Sequence, residues 1–358
     1  MAATEFGLNH DLAVKRWSTD LAVEAEVKQY FRKFMGTGDD AMIKVKKELT
    51  KAAGDKITVG LRMKLSGDGV EGDNVIEGTS AEEALSYFAD SLYIDQRRKG
   101  TKSKGKMSEQ RVPYNLRADG RNALSTWFAE DYDQQIMMYL AGARGVDTTF
   151  HVGTSWTGRA NNDLATPDSD HLIYGGDATG SSDLAAADVM AITLVDRLVA
   201  KCETLDPMIM PFMINGEKKY VLLMHTFQAH SIRTATSTND WIDIRKNTDG
   251  QNSLLYQNAL GEYAGVILHK HRNVIRFSTY GSGSDLEAAR ALFLGAQAGI
   301  IAWGRGGTHG RYSWNEDKDD RGNALAITAG AIYGVKKARF NSKDYGVIAV
   351  DTYAADPN

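Results

Sequence analysis

The chain has a single cysteine, Cys202, so no intramolecular disulfide framework can form. Its neighbours repeat apolar residues at helical spacing, which marks an inert core thiol and a reducing compartment. No stretch approaches the roughly 20 apolar residues that cross a bilayer. The N-terminal MAATEFGLNHDLAVKRW lacks a basic region followed by an apolar one, so the expectation is a protein made and kept in a cytoplasm, with no membrane partner. A basic excess is missing too. The net charge is −4, and nucleic-acid affinity rests mainly on clustered Lys and Arg, so DNA would be a neighbour rather than a sequence-specific ligand.

What is present is ample core material. Apolar residues make up 42% of the 358 and charged residues 25%, which suits a soluble globular chain of two lobes. No internal repeat is visible. Residues 1 to about 50 mix short helical patterns with polar stretches broken at Gly36-Thr37-Gly38, as in an arm that lies on something else. In DKITVGLRMKL, Ile57, Val59, Leu61, Met63 and Leu65 alternate with polar or small residues, the period of a half-buried strand. The acidic, glycine-rich GDGVEGDNVIEGTS and the returning LSYFADSLYIDQRR complete a long hairpin.

After Pro113, the residues Leu116, Gly120, Leu124, Phe128, Tyr132, Ile136 and Leu140 recur every four positions until Gly142. That predicts a helix of about 28 residues and about 42 Å. Residues 143–181 lose periodicity and read as a large surface insertion. Ser182 then caps a predicted helix whose face holds Leu184, Ile192, Val195, Leu198 and Cys202, ended by Pro207 and Pro211. Strand-like runs KKYVLLMHTF, GVILHKHRNVIRF and YGVIAVDTY follow, and LEAARALFLGAQAGIIAW, apolar nearly all round, reads as a buried helix. The expected class is α+β.

No catalytic motif is assembled. His225 and His230, or His269 and His271, lack the spacing of a helical zinc site, and no third ligand stands at a motif-like distance. Asp317, Asp319, Asp320 and Gly322 suggest a calcium loop only until Thr328 appears where a bidentate Glu is needed, so a solvated turn is the better reading. GSGSD at 281–285 and GRGGTHG at 304–310 complete neither phosphate-binding pattern, and no GxSxG elbow occurs. The expectation is no enzyme, no cofactor and no metal. The alternative is an intracellular metal-assisted hydrolase built on those four histidines.

One charge feature stands out. From Leu65 to Gln96 there is no Lys or Arg, while Asp68, Glu71, Asp73 and Glu77 head a run of acids; Arg97, Arg98, Lys99, Lys102, Lys104 and Lys106 follow at once. Isolated exposed pairs are worth only ~0–1 kcal/mol, so both blocks could be merely solvated. A two-stranded ribbon is marginal alone, however, and its apolar face needs cover that another subunit can supply. The acidic tip of one copy meeting the basic segment of the next is the expected contact, with Asp68, Glu71, Asp73, Glu77, Arg97, Arg98, Lys102 and Lys104 as its residues.

The order of arm, hairpin, long helix and mixed lobe resembles the tailed-bacteriophage major capsid proteins of the Hong Kong ninety-seven fold. DKITVGLRMKLSGDGVEGDN, YIDQRR, MSEQR, RNALSTWFAEDYDQQIMMYLAG, LFLGAQAGIIAWGR and YGVKKARFNSKDYGVIAVDTY are similar to the family typified by coliphage N-four, over residues 12–353. The resemblance implies an N-terminal arm (1–54), an E-loop hairpin (55–107), a P-domain (108–250) with spine helix 113–141 and insertion 143–181, an A-domain (251–320), and a C-terminal segment (321–358) returning to the P-domain and A-domain sheet. It further implies hexamers and pentamers tiling an icosahedral head around double-stranded DNA. Its implied partners are portal and scaffolding proteins and a decoration or cement protein, with assembly in the host cytoplasm. Expansion of such a shell would draw on hinges such as Gly54, Gly67, Gly69 and Gly72. No Lys–Asn crosslink is expected, Lys64 near the tip being only a position.

Overall fold

The computed structural model describes residues 11–357 apart from 51–52, 63–64, 67, 79–80, 112–114, 215, 236–258 and 306–310. Met63, Lys64, Gly67, Pro113 and most of the second glycine-rich run therefore lie outside the described residues. The N-terminal third forms α1 (Asp11–Lys28), β1 (Met35–Gly36), β2 (Ile43–Lys46), β3 (Lys56–Arg62), β4 (Tyr87–Tyr93), β5 (Asp95–Lys102) and α2 (Lys106–Gln110). The middle holds α3 (Leu116–Ala141), β6 (Gly158–Arg159), β7 (Asn162–Asp163), β8 (Leu172–Tyr174), α4 (Ile192–Thr204), β9 (Phe212–Ile214), β10 (Glu217–Met224) and α5 (Thr226–Ala235). Strands dominate the rest: β11 (Ala259–Tyr263), β12 (Val266–Lys270), β13 (Arg276–Tyr280), β14 (Leu286–Leu294), β15 (Gly299–Trp303), β16 (Tyr312–Asp319), β17 (Ala324–Lys337), β18 (Arg339–Phe340), β19 (Lys343–Asp344) and β20 (Val347–Tyr353).

The axis of the molecule is α3. Asn115 starts it by accepting hydrogen bonds from the Arg117 and Ala118 N–H groups at 3.1 and 3.3 Å. Gly142 ends it in the left-handed region at φ 66°. Its 26 residues span about 39 Å. The predicted stripe holds: Gly120, Leu124, Phe128, Tyr132, Ile136 and Leu140 are all buried. Beyond Glu130, however, every residue through Gly142 is buried, because this half of the helix is enclosed by both sheets.

The first sheet runs β1-β2-β15-β17-β16, with β5 on the opposite side of β17. Tyr333 fixes that arrangement, pairing with Trp303 on one side and Asp95 on the other. The second runs β11-β12-β10-β14-β20-β8, with β13 and β9 attached. Alternation along β10 serves two cores: Val221 and Leu223 join the cluster around α3, while Leu222 and Met224 join Val195, Leu198, Cys202 and Ile232 of α4 and α5. Each fully buried aliphatic chain of this kind contributes roughly 1.5–3 kcal/mol.

Several expectations need correcting. The described part of the arm packs on its own chain: Leu21 and Ala25 of α1 are buried in the α3 cluster, Arg121 holds Glu24 at 2.8 Å, and β2 pairs in parallel with β15. LEAARALFLGAQAGIIAW is two strands, β14 and β15, not a helix. An all-round apolar run marks burial on both faces, which a central strand satisfies as well as a helix does. Ser182 caps no helix: α4 starts ten residues later at Ile192, and Leu184 packs with Tyr280 and Ala288 instead. There Asp183 and Asp188 accept from the Thr179 and Ala185 N–H groups, bonds that compete with helix formation.

The segment 143–181 is not a mere surface insertion. Asn162 clamps the Tyr93 backbone, accepting from its N–H at 3.0 Å and donating to its carbonyl at 2.7 Å, and β8 extends the second sheet beside β20. Nor does the division 108–250 against 251–320 coincide with the sheets. The strands β10 and β12 pair across that boundary, while β15 and β16 belong with β17.

Candidate assembly interface

The hairpin is β3 against β4, in register from Lys56 opposite Tyr93 to Arg62 opposite Tyr87. Its base is covered by its own chain, since Ile57 and Leu92 are buried with Ile300, Ala302, Ala338 and Phe340. Val59, Leu61 and Phe88 are half-buried on the same cluster. Farther out the cover stops: Leu65, Val75, Leu85 and Tyr87 are 62, 71, 52 and 65% exposed. The expectation that the ribbon's whole apolar face lacks cover within its subunit is thus corrected to its distal part.

The four acids at the tip, Asp68, Glu71, Asp73 and Glu77, are all exposed, and none carries an ion pair among the described residues. Two other acids shape the loop. Glu83 accepts from the Ser66 N–H at 2.6 Å and its hydroxyl at 2.9 Å, and Glu82 accepts from the Gly78 N–H at 3.0 Å.

The basic segment begins in β5, an edge strand whose outer side carries no strand among the described residues, and runs on through Lys104 to Lys106 at the start of α2. Two of its four singled-out cations are engaged within the subunit. Arg97 grips Asp131 with two bonds of 2.7 and 2.5 Å, and Asp131 also accepts from Tyr333 Oη at 2.9 Å and Gln135 Nε2 at 2.7 Å. Burial would lift the Asp131 carboxyl, but His151, Arg97 and Tyr333 outweigh it and hold it below the usual carboxylate range. Desolvation of Arg97 is likewise outweighed by Asp131, which raises the guanidinium above its ordinary value. Lys102 pairs with Asp319 at 2.5 Å on the open surface. Arg98 and Lys104 remain exposed, so the segment keeps an outward positive strip.

Sequence reasoning missed Asp131 and also Asp133, a buried carboxylate that accepts from the Tyr30 and Phe31 N–H groups at 2.7 and 3.1 Å and so fastens the arm to α3. Burial pushes its pKa up to about 7. No local signal marks either acid, because the partners that fix them, Arg97 and Tyr333 for Asp131 and Tyr30 and Phe31 for Asp133, are distant in sequence.

The histidines are placed differently from a metal centre. His225 Nδ1 accepts from the Phe227 N–H at 3.2 Å and His271 Nδ1 from the Asn273 N–H at 3.1 Å. Burial, aided by Arg276 and Arg272 respectively, lowers both to about 4. His269 is buried against Phe34, and His230 is exposed. Among the described residues no three His, Cys, Asp or Glu side chains gather as ligands. Cys202 is buried, and burial raises its thiol.

A two-sheet body around a spine helix, with a hairpin whose tip is exposed among the described residues, is the build of a shell subunit. The phage capsid protein family model matches residues 5–356, and the chain belongs to that family. It is 27% identical to the major capsid protein of Pseudomonas phage KPP25, over 93% of each chain. Its structure is similar to the capsid of Ralstonia phage GP4, at 40% identity, full coverage of both chains and a TM-score of 0.86. The cyanophage Pam1 capsid shares the fold at 22% identity, 99% and 97% coverage and a TM-score of 0.74. The chain is therefore a phage major capsid protein, a subunit of the head, with the Hong Kong ninety-seven type fold.

Proposed function

We propose that this chain builds an icosahedral head from hexamers and pentamers of itself, enclosing double-stranded DNA that it contacts without sequence specificity. The carrying observation is the distal hairpin, where Leu65, Val75, Leu85 and Tyr87 stand in water although one ribbon cannot stabilise itself. Head-to-tail contacts between copies cover such a surface and close into rings. In this reading the first sheet with α3 is the peripheral lobe, and the second sheet with α4 and α5 is the axial lobe. Assembly proceeds in the bacterial cytoplasm with portal, scaffolding and decoration proteins, and the subunit catalyses nothing. The finer kinship is with the coliphage N-four type.

Between copies, Asp68, Glu71, Asp73 and Glu77 face the positive strip along and just after β5, now reduced to Arg98 and Lys104 with Lys99 and Lys106 beside them. The test is a triple reversal, Asp68→Lys, Glu71→Lys and Asp73→Lys, assembled across a salt series. The screening length falls to about 3 Å at 1 M salt, so the defect should be largest at low salt and shrink as salt rises. Normal assembly of the variant at every salt concentration removes the pairing.

A further inference from the structure

We propose that the tip of one subunit seats Ile76 in a pocket beside the spine helix of a neighbouring copy, a hole kept open by the missing side chain of Gly120. The inference rests on the reading that tip and basic strip meet between copies. The pocket has a volume of about 220 Å³ and lies where β5, α3 and β17 converge, walled by Thr101, Lys102, Gly120, Ala123, Leu325 and Ile327. A cavity of about 150 Å³ accepts a benzene ring, so a branched aliphatic chain fits here.

Its floor is made by a residue the helix does not favour. Gly120 is the fifth residue of α3, a position where glycine is disfavoured against alanine. A Cβ there would lie 3.2 Å from Thr101 Cγ2 and 3.3 Å from Ile327 Cδ1, filling the floor. On the tip, Val75 and Ile76 form an adjacent apolar pair, 71 and 53% exposed, between Asp73 and Glu77. The charged side chains on the pocket lining are Lys102, held by Asp319, and Asp119; the positive charge for the acids comes from Lys104 and Lys106, exposed two and four residues beyond Lys102. An apolar knob flanked by acids thus has, on a second copy, an apolar hole followed along the chain by two exposed lysines, Lys104 and Lys106. The partner is another copy of this chain.

The test uses full-length protein carrying Cys202→Ala. With Ile76→Cys and Ala123→Cys together, oxidised shells should yield ladders of linked subunits on a non-reducing gel, and dissociated subunits none. Ile76→Cys with Val146→Cys serves as the control and should give no ladder. Ala123 is exposed, so Ala123→Trp should leave the folded subunit's melting curve intact while filling the hole, lowering shell yield about tenfold. Absence of the ladder in intact shells, or an unchanged yield with Ala123→Trp, overturns the proposal. If the tip charge reversal blocks assembly and Ala123→Trp does not, the charge reading stands and the pocket falls; if neither does, both fall.

Discussion

Arg97 and Asp131 show how a single residue can serve two scales. The guanidinium was marked by the sequence as one of a row of surface cations, yet its side chain crosses to a carboxylate that is 1% exposed. Removing one member of such a pair leaves a buried charge uncompensated, so Arg97→Ala should cost about 3–5 kcal/mol in denaturant unfolding of the subunit. Asp133 works differently. Its folded pKa of about 7 lies above the ordinary 3.8, so the folded chain holds the proton more tightly than the unfolded one. Its contribution to stability is fully present below the ordinary value and is lost as pH rises through the folded one, staying level beyond it. In Asp133→Asn, whose single amide oxygen keeps an acceptor for only one of the Tyr30 and Phe31 N–H groups, that slope should vanish from a series of unfolding midpoints between about pH 4 and 8, on top of a pH-independent loss from the orphaned donor. Asp133→Ala orphans both donors and should cost about 1–3 kcal/mol. None of this was legible beforehand: a carboxylate in an amphipathic helix reads as solvated until its partner is placed, and Tyr30 stands 103 positions away from Asp133.

Among elements, the β3–β4 hairpin was legible because it carries one apolar face, and α3 because polar residues such as Asp131, Asp133, Gln134 and Gln135 interrupt its apolar stripe even where the helix is enclosed, so the side-chain period shows in the residue order. The helix stop was legible as well. At Gly142 a Cβ would lie 2.1 Å from the Ala165 carbonyl oxygen, and Gly142→Ala combines that clash with a left-handed backbone. Loss of at least about 1–2 kcal/mol is expected, read as a lower unfolding midpoint. Where both faces are buried the period disappears, and β14 and β15 were read as a helix for that reason. The loop around Asn162 was hidden by the opposite condition: its anchor is a single clamp on the distant Tyr93 backbone and carries no period at all. The docking of α1 was hidden because Leu21 and Ala25 give only a short stripe and their partners on α3 lie about 100 residues away.

For the whole molecule, the charge reversal from acidic tip to basic strand was visible in sequence, while the allocation of Arg97 and Lys102 to partners within the subunit was not. What the fold adds is a boundary: among the described residues the ribbon is covered by its own body as far as Leu61 and Phe88 and exposed beyond. The account turns on that outer part being covered by another copy. Amide hydrogen exchange on peptides containing Leu65, Val75, Leu85 and Tyr87, compared between dissociated subunits and assembled shells, tests it most directly. Fast exchange in the subunit and strong protection in the shell is the predicted result; equal exchange in the two states, whether fast or slow, would contradict it.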